Sequence, residues 1–185
     1  MTEKIKASVM DATRIRRVID RMATEILERN RNLKALVIVG IRTRGVFVGK
    51  RLARIIKDLE GVDIPVGSMD ITGYRDDFFK NDTPHKGTHT DIPFSVAKKD
   101  VILVDDVLMT GRTIRAAMEG LFDIGRPRSI QLLVLIDRGH RELPIRADYI
   151  GKQLPSSRRE IIKVRLKEID SRDEVLITES VSLKR

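Results

Sequence analysis

Residues 101–113, Val-Ile-Leu-Val-Asp-Asp-Val-Leu-Met-Thr-Gly-Arg-Thr, constrain the fold more than any other stretch of the 185-residue chain. Four consecutive apolar residues, Val101 to Val104, fit a strand buried on both faces. Asp105 and Asp106 stand at its carboxyl end, and Thr110-Gly111-Arg112-Thr113 opens a helical pattern that runs to about Asp123. A helix start of this kind offers unpaired backbone N–H groups and the positive end of the peptide dipole to a phosphate. Gly111 allows backbone to approach closely, Thr110 and Thr113 add hydroxyl donors, and the paired carboxylates can accept from ribose hydroxyls. The plainer reading is a buried strand ending in an acid-capped turn. The combination of strand, Asp-Asp and Thr-Gly-x-Thr favours a sugar-phosphate cradle.

Strand and helix patterns alternate along the rest of the chain. Asp11 is placed to cap a helix from Ala12 to about Asn30, with Ile15, Val18, Ile19, Met22 and Ile26 on one face. Leu36–Val39 reads as a buried strand, Gly45 leads into a helix through about Leu59, and Ile64–Ile71 reads as another strand. Residues 130–136 make a further strand, and 161–177 one or two edge strands. This alternation predicts an α/β fold with a mostly parallel central sheet flanked by helices, binding its ligands at the strands' carboxyl ends. The loops at 40–45, 72–93, 105–113 and 137–157 all fall there. The 72–93 stretch, rich in Gly, Asp, Thr and Pro, is too long for a plain connection and predicts a flexible functional loop. A single domain over residues 1–185 accommodates all of it.

Composition narrows the function classes. The net charge of +9 is uneven: residues 1–60 hold fifteen Lys and Arg against seven Asp and Glu, leaving 21 against 20 in the remainder. A basic region of this kind favours polyanions such as nucleic acid. With Cys 0 there is neither disulfide nor thiolate chemistry, in keeping with a cytoplasmic location. The apolar runs are too short to cross a bilayer, and the amino terminus lacks the apolar core of a signal peptide. His85, His89 and His140 are scattered and make no metal-ligand pattern.

The 101–113 segment resembles the phosphoribosyl pyrophosphate (PRPP) signature of type I phosphoribosyltransferases. Four further segments are similar to a single family within that fold: Gly40-Ile-Arg-Thr-Arg-Gly45, Asp70-Ile-Thr-Gly-Tyr-Arg-Asp-Asp77, Asp137-Arg-Gly-His-Arg-Glu-Leu-Pro-Ile-Arg-Ala-Asp-Tyr149 and Gly151-Lys-Gln-Leu-Pro-Ser-Ser157. It is the bifunctional pyrimidine operon attenuator and uracil phosphoribosyltransferase family. The resemblance runs from the first helix to about Leu166.

What the resemblance implies is an enzyme that makes UMP and diphosphate from uracil and PRPP. The 5′-phosphate would sit on the loop Thr110, Gly111, Arg112 and Thr113, the ribose hydroxyls on Asp105 and Asp106, and Val107, Leu108 and Met109 would complete the substrate contacts. Arg42, Thr43, Arg44 and Gly45 would donate to pyrophosphate. Tyr74 and Arg75 would join them when the 72–93 loop closes, and Asp137 and Arg138 would belong to a hood at about 137–157 that reads the base. Mg²⁺ is expected to enter with PRPP rather than to occupy a protein cage. Purine enzymes of the hypoxanthine type carry an aspartate just before the Thr-Gly pair. Here Met109 stands in that place, which favours a pyrimidine, and it also departs from the family's usual tyrosine, as Gly73 departs from leucine.

The family also binds a pyr leader mRNA. Arg14, Arg17 and Arg21 form a basic stripe on the first helix, with His140, Arg141, Arg146 and Lys152 as companions; the bland alternative is a solvated helix face with structural ion pairs. Asp20 and Thr24 depart from the family's threonine and histidine, and Asp20 is expected to weaken phosphate attraction beside Arg17 and Arg21. UMP or UTP would control RNA binding, and a homodimer or higher homo-oligomer is expected. The competing readings are a purine or orotate phosphoribosyltransferase without an RNA role, and a non-catalytic uridine-nucleotide sensor.

Overall fold

Leu36 to Gly40 are buried one after another, as a strand covered on both faces requires. In the computed structural model, which describes residues 3–74 and 89–180, the strands are β1 (Glu3–Met10), β2 (Leu36–Ile41), β3 (Val66–Met69), β4 (Asp100–Leu108), β5 (Ser129–Asp137), β6 (Tyr149–Gln153), β7 (Glu160–Arg165) and β8 (Glu174–Ser180). The helices are α1 (Ala12–Arg29), α2 (Arg44–Glu60), α3 (Arg112–Ile124) and the single turn α4 (Lys167–Asp170).

Five strands form one parallel sheet in the order β3-β2-β4-β5-β6. Alternate side chains of its strands feed two cores. Leu36, Ile38, Ile102, Val104, Leu133 and Leu135 pack with the apolar faces of α1 and α2. Val37, Val39, Val101, Leu103, Leu132 and Val134 pack on the other side with Ile114, Ala117 and Leu121 of α3. The expected layers are therefore present. The α1 cap also forms as read, since the Asp11 carboxylate accepts from the Arg14 N–H at 2.7 Å.

Three expectations require correction. Residues 161–177 do not add edge strands to the central sheet: β7 and β8 join β1 in a separate antiparallel sheet, ordered β1-β8-β7. β1 carries no periodic buried face, since Ile5 and Ala7 are exposed and only Met10 is fully buried, and so leaves little pattern to read. The 137–157 segment is not one loop either, because Tyr149–Gln153 pairs with β5 as the sheet edge. Finally, the 64–71 strand shrinks to Val66–Met69, where Pro65 lacks the N–H that a ladder needs.

The strand order reverses direction of growth between β2 and β4. A crevice opens outside the carboxyl ends of two such strands, because their crossovers leave on opposite faces.

Candidate active site

A cavity of about 330 Å³ occupies that crevice. Arg42 reaches it from the end of β2, Asp70 and Thr72 from the end of β3, Asp105, Asp106 and Val107 from β4, and Thr113 from the first turn of α3. The structure thus gathers five of the sequence-derived candidates around one space. Asp70, Thr72, Ile41 and Ile71 were missed as candidates. An acid placed directly after a strand was the available signal for Asp70.

The two adjacent acids differ in setting. Asp105 is 7% exposed, and its Oδ1 accepts from the Asp106 N–H at 2.9 Å. Burial, aided by the charge of Asp106, pushes its carboxyl well above the usual carboxylate range. Burial raises the Asp106 carboxyl as well, against the pull of its hydrogen bond with Asp105 and of the nearby Arg44 charge. The Asp70 carboxylate accepts from the Thr72 N–H at 3.0 Å and the Thr72 hydroxyl at 2.6 Å, bonds that outweigh its partial burial and hold it below its usual range.

The 42–45 turn is set by glycine packing. A Cβ on Gly45 would overlap the Val104 carbonyl oxygen, and one on Gly40 would overlap the Val46 backbone, so α2 begins pressed against β4. Thr43 occupies the α2 N-cap without a side-chain hydrogen bond, and the Arg42–Thr43 peptide is cis. Arg42 faces the cavity and donates to the His89 carbonyl at 3.1 Å. Arg44 does not: its Nη2 donates to both Asp170 oxygens, at 3.0 and 3.2 Å. Its Nε is buried with no hydrogen-bond partner among the described residues.

Other candidates are placed differently from the sequence-based expectation. Leu108 is a core residue, so its side chain cannot meet a phosphate. Tyr74 lies on α3, where Gly120 makes room for its ring and Arg115 donates to its carbonyl at 3.1 Å. Arg138 is 6% exposed and donates to Ser156 Oγ at 3.0 Å and to the Ser157 and Glu160 carbonyls at 2.8 Å each. It fixes the hood in place and does not line the cavity. Arg75, and most of the 72–93 loop, lie outside the described residues.

The hood sits directly on the phosphate-loop candidates. Gly111 takes a left-handed φ of 92° as the α3 N-cap, and the Thr110 carbonyl accepts from the N–H groups of Glu142 at 3.0 Å and Leu143 at 3.1 Å. Arg112 pairs with Glu142 at 2.7 Å. Met109 is half-buried. Its carbonyl, together with the Asp137 carboxylate, accepts from Arg141.

The RNA candidates divide. Arg14 and Arg17 are exposed on α1, and Arg146 is exposed on the hood. Arg21 donates to the carbonyls of Ile150 at 2.9 Å and Gly151 at 2.8 Å, bringing the α1 stripe beside β6 and its Lys152. The His140 ring is tied to the Ser156 carbonyl, and Arg141 is turned inward, so neither presents a free cation. Asp20 pairs with Arg16 at 3.9 Å and lines a cleft with Arg51 and Arg54.

Comparison with known proteins agrees with this geometry. Residues 7–169 match the family model described as phosphoribosyl transferase domain. The chain is 52% identical over 173 residues to the bifunctional protein pyrR of Enterococcus faecalis, covering 94% of this chain and 97% of that one. It is 55% identical over 175 residues to the bifunctional protein PyrR of Pelotomaculum thermopropionicum, covering 95% and 97%. The chain belongs to the bifunctional PyrR family of phosphoribosyltransferases. Among solved structures it is similar to the hypoxanthine phosphoribosyltransferase of Trypanosoma cruzi, with a TM-score of 0.73 at 18% identity over 95% of this chain and 97% of that one. That likeness extends to the type I fold alone. As a PyrR protein the chain confirms the family resemblance carried by its five motifs. No helix among its described residues is long and apolar enough to cross a membrane.

Proposed function

We propose that this PyrR-family chain joins uracil to PRPP, giving UMP and diphosphate, and that it binds pyr leader mRNA when UMP or UTP fills the same site. The observation that carries the catalytic reading is the Asp105–Asp106 pair, set beside the amino end of α3 on a cavity at the sheet's crevice. In the transfer, uracil N1 forms a bond to C1 of the ribose while the C1–oxygen bond breaks and its electron pair leaves with diphosphate. The N1 proton is acidic enough that no dedicated carboxylate is needed beside the base, and Met109 supplies none. Asp105 and Asp106 accept from the ribose hydroxyls, Thr113 and the α3 N–H groups take the 5′-phosphate, and Arg42 stands ready for the diphosphate.

Hard carboxylate oxygens from Asp70, Asp105 and Asp106 edge this cavity, yet among the described residues no group of three acids or histidines converges to cage a metal. That donor set fits Mg²⁺ carried in by PRPP, largely on phosphate oxygens and water. When bound, the ion neutralises charge growing on the leaving diphosphate.

For RNA, the support is the placing of the α1 stripe: the Arg21 bonds to β6 bring Arg14, Arg17 and Arg21 beside Lys152, and Arg146 is exposed on the hood. A homodimer or higher assembly in the cytoplasm, with residues 1–185 as one domain, completes the reading. The deciding experiment incubates the protein with Mg²⁺, PRPP and each free base. UMP from uracil is the expected product, and a nucleotide formed from hypoxanthine or orotate instead would refute the assignment. Without a UMP effect on leader RNA titration, the regulatory half falls.

A further inference from the structure

A single guanidinium bridges the hood and the loop that precedes α3. Arg141 donates from Nε to the Ile145 carbonyl at 2.9 Å, from Nη1 to the Met109 carbonyl at 2.7 Å and the Gly139 carbonyl at 3.3 Å, and from Nη2 to the Asp137 carboxylate at 2.5 Å. These acceptors belong to three separate parts of the chain: the residue after β4, the last residue of β5, and the hood itself. The side chain is 24% exposed, with its donors directed inward. A planar fork with five N–H groups can hold such acceptors in fixed relative directions, and an ammonium cannot.

The surroundings explain why this bridge bears on chemistry rather than on folding alone. The loop before α3 already has its own tie to the hood through the Thr110 carbonyl, so it does not need Arg141 to keep its shape. Met109, by contrast, directly follows β4, at the position to which the family resemblance assigns the base side of the site, and its carbonyl is held by Arg141. The Asp137 carboxylate also accepts from the Gly139 N–H at 3.0 Å, closing the turn that starts the hood. Removing the guanidinium would release the Met109 and Asp137 ends of this bridge, while the Thr110 tie to Glu142 and Leu143 and the Asp105–Asp106 cradle remain.

We infer that Arg141 is a positioning residue for phosphoribosyl transfer, one that fixes the base-reading hood relative to the sugar-phosphate cradle so that uracil N1 is held in line with the ribose C1. This rests on the assignment of the cavity to PRPP. A misplaced base costs rate steeply, because the reacting atoms must be held close and aligned.

The test uses full-length Arg141→Gln and Arg141→Lys proteins with Mg²⁺, PRPP and uracil, together with calorimetric titration of PRPP in the absence of base. The expected result is a KM for uracil raised at least tenfold and a lowered kcat in both variants, with PRPP affinity within threefold of the parent. Lysine keeps the charge and the stem, so Arg141→Lys is decisive should the glutamine variant fail to fold. A uracil KM within twofold of the parent in Arg141→Lys overturns the inference. So does a parallel loss of PRPP affinity and melting temperature, which is what a purely structural residue would give. A parent protein that binds no PRPP would instead remove the cavity assignment itself, and with it the basis for the inference.

Discussion

Arg44 donates twice to the Asp170 carboxylate, and so ties the turn beside Asp105 and Asp106 to α4, the link between β7 and β8. Asp170 also accepts from the Leu166 N–H at 2.9 Å, and these bonds outweigh its partial burial and hold its carboxyl below the usual range. A carboxylate whose pKa is depressed on folding stabilises the protein above its unfolded value, and that stability is lost as pH falls through the folded one. The Asp170→Asn protein should lose about 1 kcal/mol at pH 7, since the part-buried Arg44 loses its hydrogen-bonded carboxylate. Thermal melts from pH 7 down to 3 check this: the variant's deficit should shrink toward the acid end.

Asp105 has the opposite sign. Its carboxyl is raised by burial, so the folded state holds a proton more tightly than the unfolded chain, and stability falls as pH climbs from the unfolded value through the folded one. Asp105→Asn keeps an acceptor for the Asp106 N–H but removes the buried charge. We expect a higher melting temperature than the parent at pH 7.5, no difference at pH 3, and turnover reduced at least a hundredfold. A variant less stable than the parent at both pH values contradicts this.

Gly45 allows α2 to begin against the Val104 carbonyl. Adding one methyl group forces backbone apart where nothing can yield, at a cost of about 2 kcal/mol. Gly45→Ala should therefore melt several degrees lower and bind PRPP more weakly, because the helix start carries Arg42 and Thr43. Chemical denaturation and PRPP calorimetry on the same samples read both effects.

Arg17 and Arg21 share a stripe but not a role. Arg17 is exposed on α1, whereas Arg21 also donates to β6 carbonyls. Replacing Arg17 by Gln should lower the slope of log affinity for leader RNA against log salt by about one and leave the melting temperature unchanged. Replacing Arg21 by Gln should lower both RNA affinity and melting temperature. Equal behaviour of the two variants in melts and salt series argues against this division.

Strands β2 to β5, α1 to α3 and the acid pair were legible because each rests on a local pattern: buried apolar runs, an Asp cap, a Thr-Gly helix start. Asp70 was legible in principle, as an acid closing a strand, but nothing local distinguishes it from a turn residue. The destinations of Arg44, Arg138 and Arg141 were not readable at all. Each side chain is long and has partners distant in the chain, Asp170 for Arg44, Glu160 for Arg138 and Met109 for Arg141, so local spacing carries little signal. β1 escaped for a related reason, since its pairing partner is β8.

That pairing sets an order on assembly. Glu3 lies across from Ser180, and Lys6 of the same strand holds Glu160, whose backbone carbonyl in turn receives Arg138. A nascent chain emerging amino end first must leave β1 waiting while the parallel sheet forms behind it, a long closure of the kind that slows folding. A ribosome-bound fragment halted before residue 174 would already hold the acid pair and every partner that Arg138 and Arg141 use, but its β1 would have no strand to join.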